Sequence, residues 1–364
     1  MTIRNITDYI EELAPLAYAE NFDNVGLLVG DFDTKVQGVL VTLDTLEETV
    51  EEAIKTNCNL IVSFHPIIFS GLKKLNGNSY VERVVLKAIK NNIAIYATHT
   101  ALDNSNNGVS AKICEVIGLQ NQKILIPKKG IIKKLTTYIP TKNLEEVRES
   151  LFNSNAGNIG NYSNCSFTIE GEGTFKGGPN SNPVIGERGK LQKEKETQVS
   201  LTFEQKDESN IIKALFNSHP YEEVAYEIMT TENVHQNIGM GMIGEFETAI
   251  DEKEFLIHLK KVMKTECVRH SKFINKKIKK VAVLGGSGSF AISNAIKLKA
   301  DAYVSADFKY HDFFKAENKI LLADIGHYES EQFTKKLLVD YLTKKFSNFA
   351  IILSEKSTNP IYYI

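Results

Sequence analysis

Cysteine is scarce in this chain, with four residues among 364 and none spaced as Cys-x-x-Cys. A chain of this length can bury a core without covalent cross-links, so we expect neither a disulfide framework nor a cysteine-based zinc site. Long apolar runs are also missing, which argues against a transmembrane helix. The first residues carry acidic side chains and no apolar core segment, unlike a signal peptide. We therefore expect a cytoplasmic protein without a membrane partner.

A large excess of charge of either sign is absent as well. The net charge is −2, so no strong field draws the chain to nucleic acid or to an acidic membrane surface. Two segments, 276–280 and 335–345, are locally basic, and we interpret them as a solvated strand edge and a solvated helix face. Without a basic stripe, the sequence predicts no nucleic-acid partner.

What the chain does have, near both ends, is an alternation of short apolar runs with amphipathic helical patterns. The strand-sized runs are 38–44, 59–64, 93–99, 279–286, 301–307 and 319–326. Strands that alternate with helices indicate βαβ units and parallel pairing. We predict an α/β fold in which residues 1–126 and 249–364 are two parts of one main domain, with parallel-rich sheets flanked by helices.

The segment between them, residues 127–248, has a different composition. Gly, Asn, Ser and Pro are dense, and its strand candidates alternate polar with apolar side chains. Helical patterns at 144–152 and 208–217 separate these candidates. Two βαβ-like halves of this size indicate a ferredoxin-like α+β module. Because the α/β pattern resumes afterwards, we predict that this segment is an insertion domain.

Four side chains with metal-binding chemistry follow predicted strands. His65 and Asp103 follow two strands of the first half, and His327 with Glu331 follows a strand of the second half. Sites in parallel α/β sheets form at the carboxyl ends of strands. His327 and Glu331 are four residues apart, so they share one face of a helix. This set of nitrogen and oxygen ligands predicts a site for zinc, iron(II) or manganese.

These residues also have structural interpretations. Alone, His65 is compatible with a packed or exposed histidine, and His327 with Glu331 is compatible with a surface helix pair. Their shared position at one sheet edge favours the metal site. His99 and His311 lie at strand ends near it, and we predict that either donates a proton or supports a ligand, with a structural role as the alternative.

Three further features are weaker signals. The glycine-rich loop 285–289 precedes a helix and could cradle a phosphate, but it lacks the Lys-Ser/Thr of a P-loop. Asp44 ends the first predicted strand, where it could orient a ligand or cap the next helix. The segment 219–223 resembles a metal motif, and we interpret it as a structural corner of the insertion.

Several segments carry a family resemblance in addition. They are 22–30 (FDNVGLLVG), 63–69 (SFHPIIF), 98–104 (THTALDN), 283–290 (VLGGSGSF), 305–312 (SADFKYHD), 324–331 (DIGHYESE), 157–175 and 219–228. Through them the chain resembles the NIF-three-like family of dinuclear-metal-centre hexameric proteins, also called GTP cyclohydrolase 1 type 2 homologues, in its long bacterial form. The resemblance implies a NIF-three-like main domain, a PII-like insertion and a homohexamer.

The resemblance also implies two metal ions. His65 and Asp103 match ligands of one ion, His327 matches a ligand of the other, and Glu331 matches the bridging carboxylate. Phe64 is a departure, because the family usually has a histidine there for the second ion. We therefore expect one firmly held ion and a second site reduced to two protein ligands, giving one or two ions per subunit.

Two functions remain open. The first is a metal-dependent hydrolase acting on a nucleotide or related small molecule, for which the resemblance implies GTP. The second is a non-catalytic hexameric metal-binding scaffold or regulatory protein whose insertion binds a ligand or partner. Phe64 and the insertion favour the second function, since simple hydrolysis requires no extra module.

Overall fold

The computed structural model describes residues 1–364 and divides them into two compact units. Residues 1–127 together with 236–364 form the first, which we call the main unit, and residues 128–235 form the second, the inserted unit. The inserted unit therefore ends earlier than residue 248, the boundary expected from the sequence. The reason is one long strand, His235–Ile250, which pairs within a sheet of the main unit.

Strands and helices alternate along most of the chain. The strands are β1 (Gly26–Val29), β2 (Val39–Thr42), β3 (Leu60–Ser63), β4 (Ala94–Ala97), β5 (Gln120–Lys128), β6 (Ile132–Pro140), β7 (Phe167–Lys176), β8 (Leu191–Glu204), β9 (Tyr226–Thr230), β10 (His235–Ile250), β11 (Arg269–His270), β12 (Ile278–Ser287), β13 (Ala302–Ala306), β14 (Leu321–Asp324) and β15 (Ile351–Leu353). The helices are α1 (Ile3–Leu13), α2 (Glu47–Lys55), α3 (Tyr80–Lys90), α4 (His99–Asp103), α5 (Val109–Ile117), α6 (Leu144–Phe152), α7 (Glu208–Ser218), α8 (Glu252–Val262), α9 (Ile292–Lys297), α10 (His327–Glu331) and α11 (Thr334–Lys345). No helix among them is long and apolar enough to cross a membrane.

The first sheet of the main unit has the order β1-β4-β3-β2-β15. β15, β2, β3 and β4 run parallel to one another, and β1 is antiparallel at the edge. All residues of β2, β3 and β4 are buried, as expected for parallel strands covered on both faces. Their carboxyl ends meet at one edge of the sheet.

The second sheet of the main unit has the order β11-β14-β13-β12-β10-β5. Its centre, β12-β13-β14, is parallel, whereas β10 pairs antiparallel with β12 and β11 pairs antiparallel with β14. The fold is thus mixed α/β. One continuous hydrophobic core includes side chains from both sheets, among them Val62 and Tyr96 from the first and Val283 and Val304 from the second. The two sheets are therefore halves of one folded body, although their sequences lie far apart.

The inserted unit contains a four-stranded sheet of order β7-β8-β6-β9, with every neighbouring pair antiparallel. Along the chain its elements run β6, α6, β7, β8, α7 and β9, which is the βαββαβ order of ferredoxin-like modules. Its own core includes Leu135 and Val199 from the sheet and Val147 and Ile211 from the two helices.

Candidate metal centre

Three metal-ligand atoms converge in the main unit. His65 lies just past the end of β3, and α10, which follows β14, begins with His327 and ends with Glu331. The Nε2 atom of His65 and the Nε2 atom of His327 each lie 3.2 Å from Oε2 of Glu331. The ligand atoms of the three residues all lie within 4.8 Å of one another. Two imidazole nitrogens and one carboxylate oxygen are a donor set that zinc, iron(II) or manganese accepts.

Carboxylates behind the histidines fix how the rings are turned. The Nδ1–H group of His65 donates to Oδ1 of Asp44 at 2.8 Å, and that of His327 donates to Oδ2 of Asp307 at 2.6 Å. The remaining oxygen of Asp44 accepts a hydrogen bond from the hydroxyl of Thr358. A carboxylate on Nδ1 selects the tautomer whose Nε2 lone pair is free, which is the usual support for histidine metal ligands.

Without an ion, the two imidazoles hold their protons firmly and Glu331 stays ionised. Burial disfavours the charged imidazole of His65, but its hydrogen bond to Asp44 and the neighbouring Glu331 outweigh this and raise its pKa to about 10. Burial likewise opposes charge on His327, yet Asp307 and Glu331 raise its pKa to about 11. Burial would raise the pKa of Glu331, but the two imidazoles lower it to about 2. The site is therefore poised to exchange imidazole protons for a cation.

Glu331 provides the test of whether a cation fits. Its side chain is 4% exposed, and Oε2 makes no well-aligned hydrogen bond but lies 3.2 Å from Nε2 of His65 and from Nε2 of His327, as two ion pairs. A buried carboxylate is costly unless something positive lies against it. In the metal-free protein the two protonated imidazoles meet this need, and a cation can replace their protons. Space around it is kept open by Gly286, where an added Cβ would lie 2.4 Å from Oε1 of Glu331. The residues present therefore fit a divalent ion.

Asp103 lies beside this cluster but outside the converging trio. It ends α4, and its carboxylate makes no hydrogen bond or ion pair with the protein. Burial raises the pKa of Asp103 well above its usual value, and the charge of Glu331 adds to the increase. An unpartnered carboxylate next to the trio is available as a further ligand. The structure thus brings three of the four predicted ligands together and places the fourth next to them.

His99 borders the site. Its ring centre lies 5.4 Å from that of His65, and its Nδ1–H group donates to Oδ1 of Asp23 at 2.7 Å. The backbone of His99 has φ +26°, a conformation that costs energy for a residue with a side chain. Contacts from Thr100 to Asp23 stabilise this turn. His99 is therefore positioned at the edge of the site with Nε2 free.

His311 is placed differently. It lies in a short 3₁₀ segment, Tyr310–Ala316, is exposed, and its ring contacts are with Tyr310 and Phe314. No hydrogen bond or ring contact connects it to the metal-ligand cluster, so the structure supplies no contact for its predicted role there.

The glycine-rich loop 285–289 supports the cluster rather than a phosphate. The N–H group of Gly286 donates to the Ser330 hydroxyl at 2.8 Å, and its carbonyl accepts from Ser305 at 3.0 Å. The backbone N–H and C=O groups of Gly286 are thus already bonded, and α9, which follows the loop, is only six residues long. The loop instead gives Glu331 and His327 the room they need.

Phe64 is fully buried in the main hydrophobic core, with its ring centre 4.9 Å from that of His65 and 5.6 Å from that of His99. A phenyl ring has no lone pair to offer a metal. This position therefore packs beneath the site and supplies no ligand.

Two carboxylates that matter here were not identified as functional from the sequence. Asp307 follows β13, and Asp23 precedes β1, and each fixes a histidine of the site. The strand-end rule that selected His65 also applies to Asp307, so it was a usable signal. Asp23 lies in the segment 22–30 that carries the family resemblance, but no chemical role followed from it, since its partner lies 76 residues away.

Comparison with known proteins agrees with this architecture. The profile of the Duf34/NIF3 (NGG1p interacting factor 3) family matches residues 1–360. A Bacillus subtilis (strain 168) relative named GTP cyclohydrolase 1 type 2 homolog is 36% identical over 370 residues, covering 99% of this chain and 98% of that protein. A relative of the same name from Staphylococcus epidermidis (strain ATCC 35984 / DSM 28319 / BCRC 17069 / CCUG 31568 / BM 3577 / RP62A) is 32% identical over 367 residues, covering 100% of both chains.

Solved structures give the same result. A Bacillus cereus protein related to NIF3 matches with a TM-score of 0.83 and 34% identity, covering 100% of this chain and 99% of that one. The resemblance predicted from the sequence is thereby confirmed. The chain belongs to the Duf34/NIF3 family.

Proposed function

We propose that this chain binds a divalent metal ion through His65, His327 and Glu331, with Asp103 as an additional ligand, and that it is a metal-dependent hydrolase of a nucleotide or related small molecule. The observation that carries the proposal is the convergence of three ligand atoms: the buried Oε2 atom of Glu331 lies 3.2 Å from the Nε2 atoms of two carboxylate-oriented imidazoles. Zinc, iron(II) and manganese suit this donor set. When bound, such an ion acts as a Lewis acid and lowers the pKa of a coordinated water.

The protein side chains have distinct tasks in this proposal. Glu331 provides the negative charge that retains the ion, while Asp44 and Asp307 keep the imidazole Nε2 atoms directed at it. In this proposal His99, whose ring is held by Asp23, delivers a proton from Nε2 to a leaving nitrogen or oxygen. We assign no equivalent role to His311, because its ring contacts only neighbours on its own segment.

GTP is the first substrate to test. The relatives from Bacillus subtilis and Staphylococcus epidermidis are named GTP cyclohydrolase 1 type 2 homolog, and similarity to them extends over the whole chain. A cyclohydrolase opens the imidazole ring of guanine with water, a reaction that needs an activated water and a proton donor. The candidate site offers a place for both. The four free cysteines fit a reducing compartment, so we propose a cytoplasmic location.

A metal-loading and turnover assay tests this function. Protein stripped of metal is reloaded with zinc, manganese or iron(II) and incubated with a panel of nucleoside triphosphates, with GTP first. We expect metal-dependent turnover in the wild type and its loss, by about 100-fold or more, in Glu331→Gln and His65→Ala. Asp340→Asn, on the exposed face of α11, is the matched control and should retain activity. If no metal produces turnover that Glu331→Gln removes, the hydrolase function is rejected.

The buried Phe64 favours a second function, a metal-stabilised scaffold. Because phenylalanine cannot bind a metal, a second ion that could assist catalysis would have fewer protein ligands. In this alternative, six copies form a homohexamer and the inserted unit, taken as PII-like, binds a ligand or partner. Light scattering would show an assembly of six 40.7 kDa chains. A chelator that breaks up this assembly, in protein without turnover, would favour the scaffold over the hydrolase.

A further inference from the structure

The inserted unit contains a cavity lined by none of the residues of the proposed metal centre. It has a volume of about 410 Å³ and is bounded by the end of β7, the segment 177–185, Glu196 of β8 and the segment 221–225 that follows α7. This volume lies within the range of roughly 300–1,000 Å³ that small-molecule sites occupy. All of its lining residues belong to the inserted unit.

The wall of the cavity is largely apolar and aromatic. The rings of Phe175 and Tyr221 meet edge to face, with centres 5.5 Å apart. Pro183, Val184 and Ile185 complete this wall. An arrangement of this kind accepts a compact apolar body, and aromatic faces also attract cations.

The charged side chains that line the cavity are mainly carboxylates, and none of these carboxylates forms an ion pair with a lysine or arginine. Oε1 of Glu196 accepts a hydrogen bond from the hydroxyl of Tyr221 at 2.7 Å, and no lysine or arginine pairs with this carboxylate. Burial, together with Glu196, raises the pKa of Tyr221, so its hydroxyl remains a donor. Glu222 and Glu223 also line the cavity without ion pairs, against a single cationic residue, Lys176.

Gly173 makes the position of Glu196 possible. An added Cβ at Gly173 would lie 2.1 Å from Oε2 of Glu196, so the carboxylate occupies space that any other residue would fill. No hydrogen bond from the protein reaches this Oε2 atom, which lies against Gly173, and the Glu196 side chain lines the cavity.

We propose that this cavity binds a small organic cation, an ammonium or guanidinium group on a compact apolar or aromatic body. The cationic group would meet the carboxylate of Glu196 and the aromatic body would lie against Phe175 and Tyr221. This inference is independent of the metal centre, because every group it uses belongs to the inserted unit.

Binding of matched probes to the full-length, metal-free protein tests the proposal. The probe is 2-phenylethylamine, compared by ligand-observed NMR or calorimetry with the neutral 2-phenylethanol and the anionic 3-phenylpropionate. We expect the amine to bind about fivefold or more tightly than the alcohol, and the carboxylate to show no saturable binding. Glu196→Gln keeps the side-chain shape and should weaken amine binding by about fivefold, whereas Lys176→Gln should strengthen it.

The matched control is Glu232→Gln, an exposed carboxylate of the same unit outside the cavity, which should leave amine binding unchanged. Circular dichroism establishes that each variant is folded, and Tyr221→Phe offers a second test if Glu196→Gln does not fold. Equal affinity for amine and alcohol, an unchanged affinity in folded Glu196→Gln, or no saturable amine binding at millimolar concentration would overturn the proposal. None of these outcomes bears on metal loading, so failure here is distinguishable from failure of the hydrolase function.

Discussion

At the scale of single residues, the candidate metal centre depends on pairs in which a carboxylate orients an imidazole. Asp307 accepts the Nδ1–H group of His327 and also a hydrogen bond from the Ser287 hydroxyl, so it is itself held in place. The pKa of Asp307 is lowered, chiefly by its hydrogen bond to His327, and it stays charged at neutral pH. That charge increases the basicity of Nε2 and hence its strength as a ligand.

Substitution of Asp307 by Asn tests this support. Asn can still accept the Nδ1–H hydrogen bond, but it carries no charge, so we expect metal affinity to fall by about 10- to 100-fold with little loss of folding. Competition against a fluorescent chelator measures the affinity. Asp340→Asn again serves as the control, since Asp340 pairs with Lys336 on a helix surface. An unchanged affinity in folded Asp307→Asn would show that the ligand trio needs no carboxylate behind His327.

Protonation of the same residues sets the pH dependence of the metal-free protein. The pKa values of His65 and His327 rise from 6.5 to about 10 and about 11 on folding. The folded state therefore binds more protons, and this stabilisation is complete below pH 6.5 and is lost as the pH rises through about 10. The pKa of Glu331 falls from 4.5 to about 2, so its contribution is present above pH 4.5 and is lost as the pH falls towards 2.

We therefore expect the Tm of metal-free protein to decrease from about pH 7 to about pH 10, whereas the increase in Tm caused by added metal grows over the same range. The ion must displace imidazole protons, and fewer remain as the pH rises. Differential scanning fluorimetry with chelator or with excess metal measures both trends. The double variant His65→Gln/His327→Gln should lose both, and a wild type that behaves like this variant would contradict the assignment.

At the scale of elements, the position of the trio depends on α10 and on the end of β12. One turn of α10 places His327 and Glu331 on the same side, and Gly286 at the end of β12 lies against both. Gly286 has φ +67°, which residues with a Cβ rarely adopt. The glycine is therefore required twice, for its backbone conformation and for the space it leaves.

Gly286→Ala tests this close approach. The left-handed backbone costs about 1–2 kcal/mol for alanine, and the added Cβ would displace the Glu331 carboxylate. We expect a lower Tm together with a large loss of metal affinity. Gly71→Ala is the control, because a Cβ at Gly71 would meet nothing within 4 Å. If Gly286→Ala lowered stability but retained wild-type metal affinity, the glycine would be needed for the turn alone.

At the scale of the whole molecule, the site depends on two sheets sharing one core. His65 follows β3 of the first sheet, and Glu331 lies in α10, which follows β14 of the second sheet. The two sheets share one hydrophobic core, and this packing brings the two residues together. Binding of an ion at this junction stabilises the folded chain over the unfolded one, by about 2.7 kcal/mol when free metal is 100 times its Kd.

The same geometry predicts how many ions bind. Three ligand atoms converge at one position, Asp103 adds a fourth nearby, and Phe64 contributes none. We expect one tightly bound ion per chain, measured by elemental analysis after gel filtration, and its removal should lower the Tm. Phe64→His places an imidazole beside the site and should increase the count towards two. Two ions per wild-type chain would contradict this expectation.

Much of this organisation was predictable from local patterns. Buried strands such as β3 and β14 are continuous apolar runs, and metal-binding side chains that follow strands in a parallel α/β pattern are predicted to lie at one sheet edge. The four-residue spacing of His327 and Glu331 specifies a shared helix face, because an α-helix repeats every 3.6 residues. These features depend on neighbours in sequence, so composition, spacing and periodicity suffice to predict them.

Other features were decided only by the tertiary structure. Asp44 supports His65 from 21 residues away, and Asp23 supports His99 from 76 residues away. The sequence also could not show that His311 stays apart from the site, that Asp103 lies just outside the trio, or that β10 joins the main unit. The physical reason is that side-chain direction and distance across a packed core depend on how separate sheets meet. No local period encodes that arrangement, whereas the chemistry it brings together was already present in the sequence.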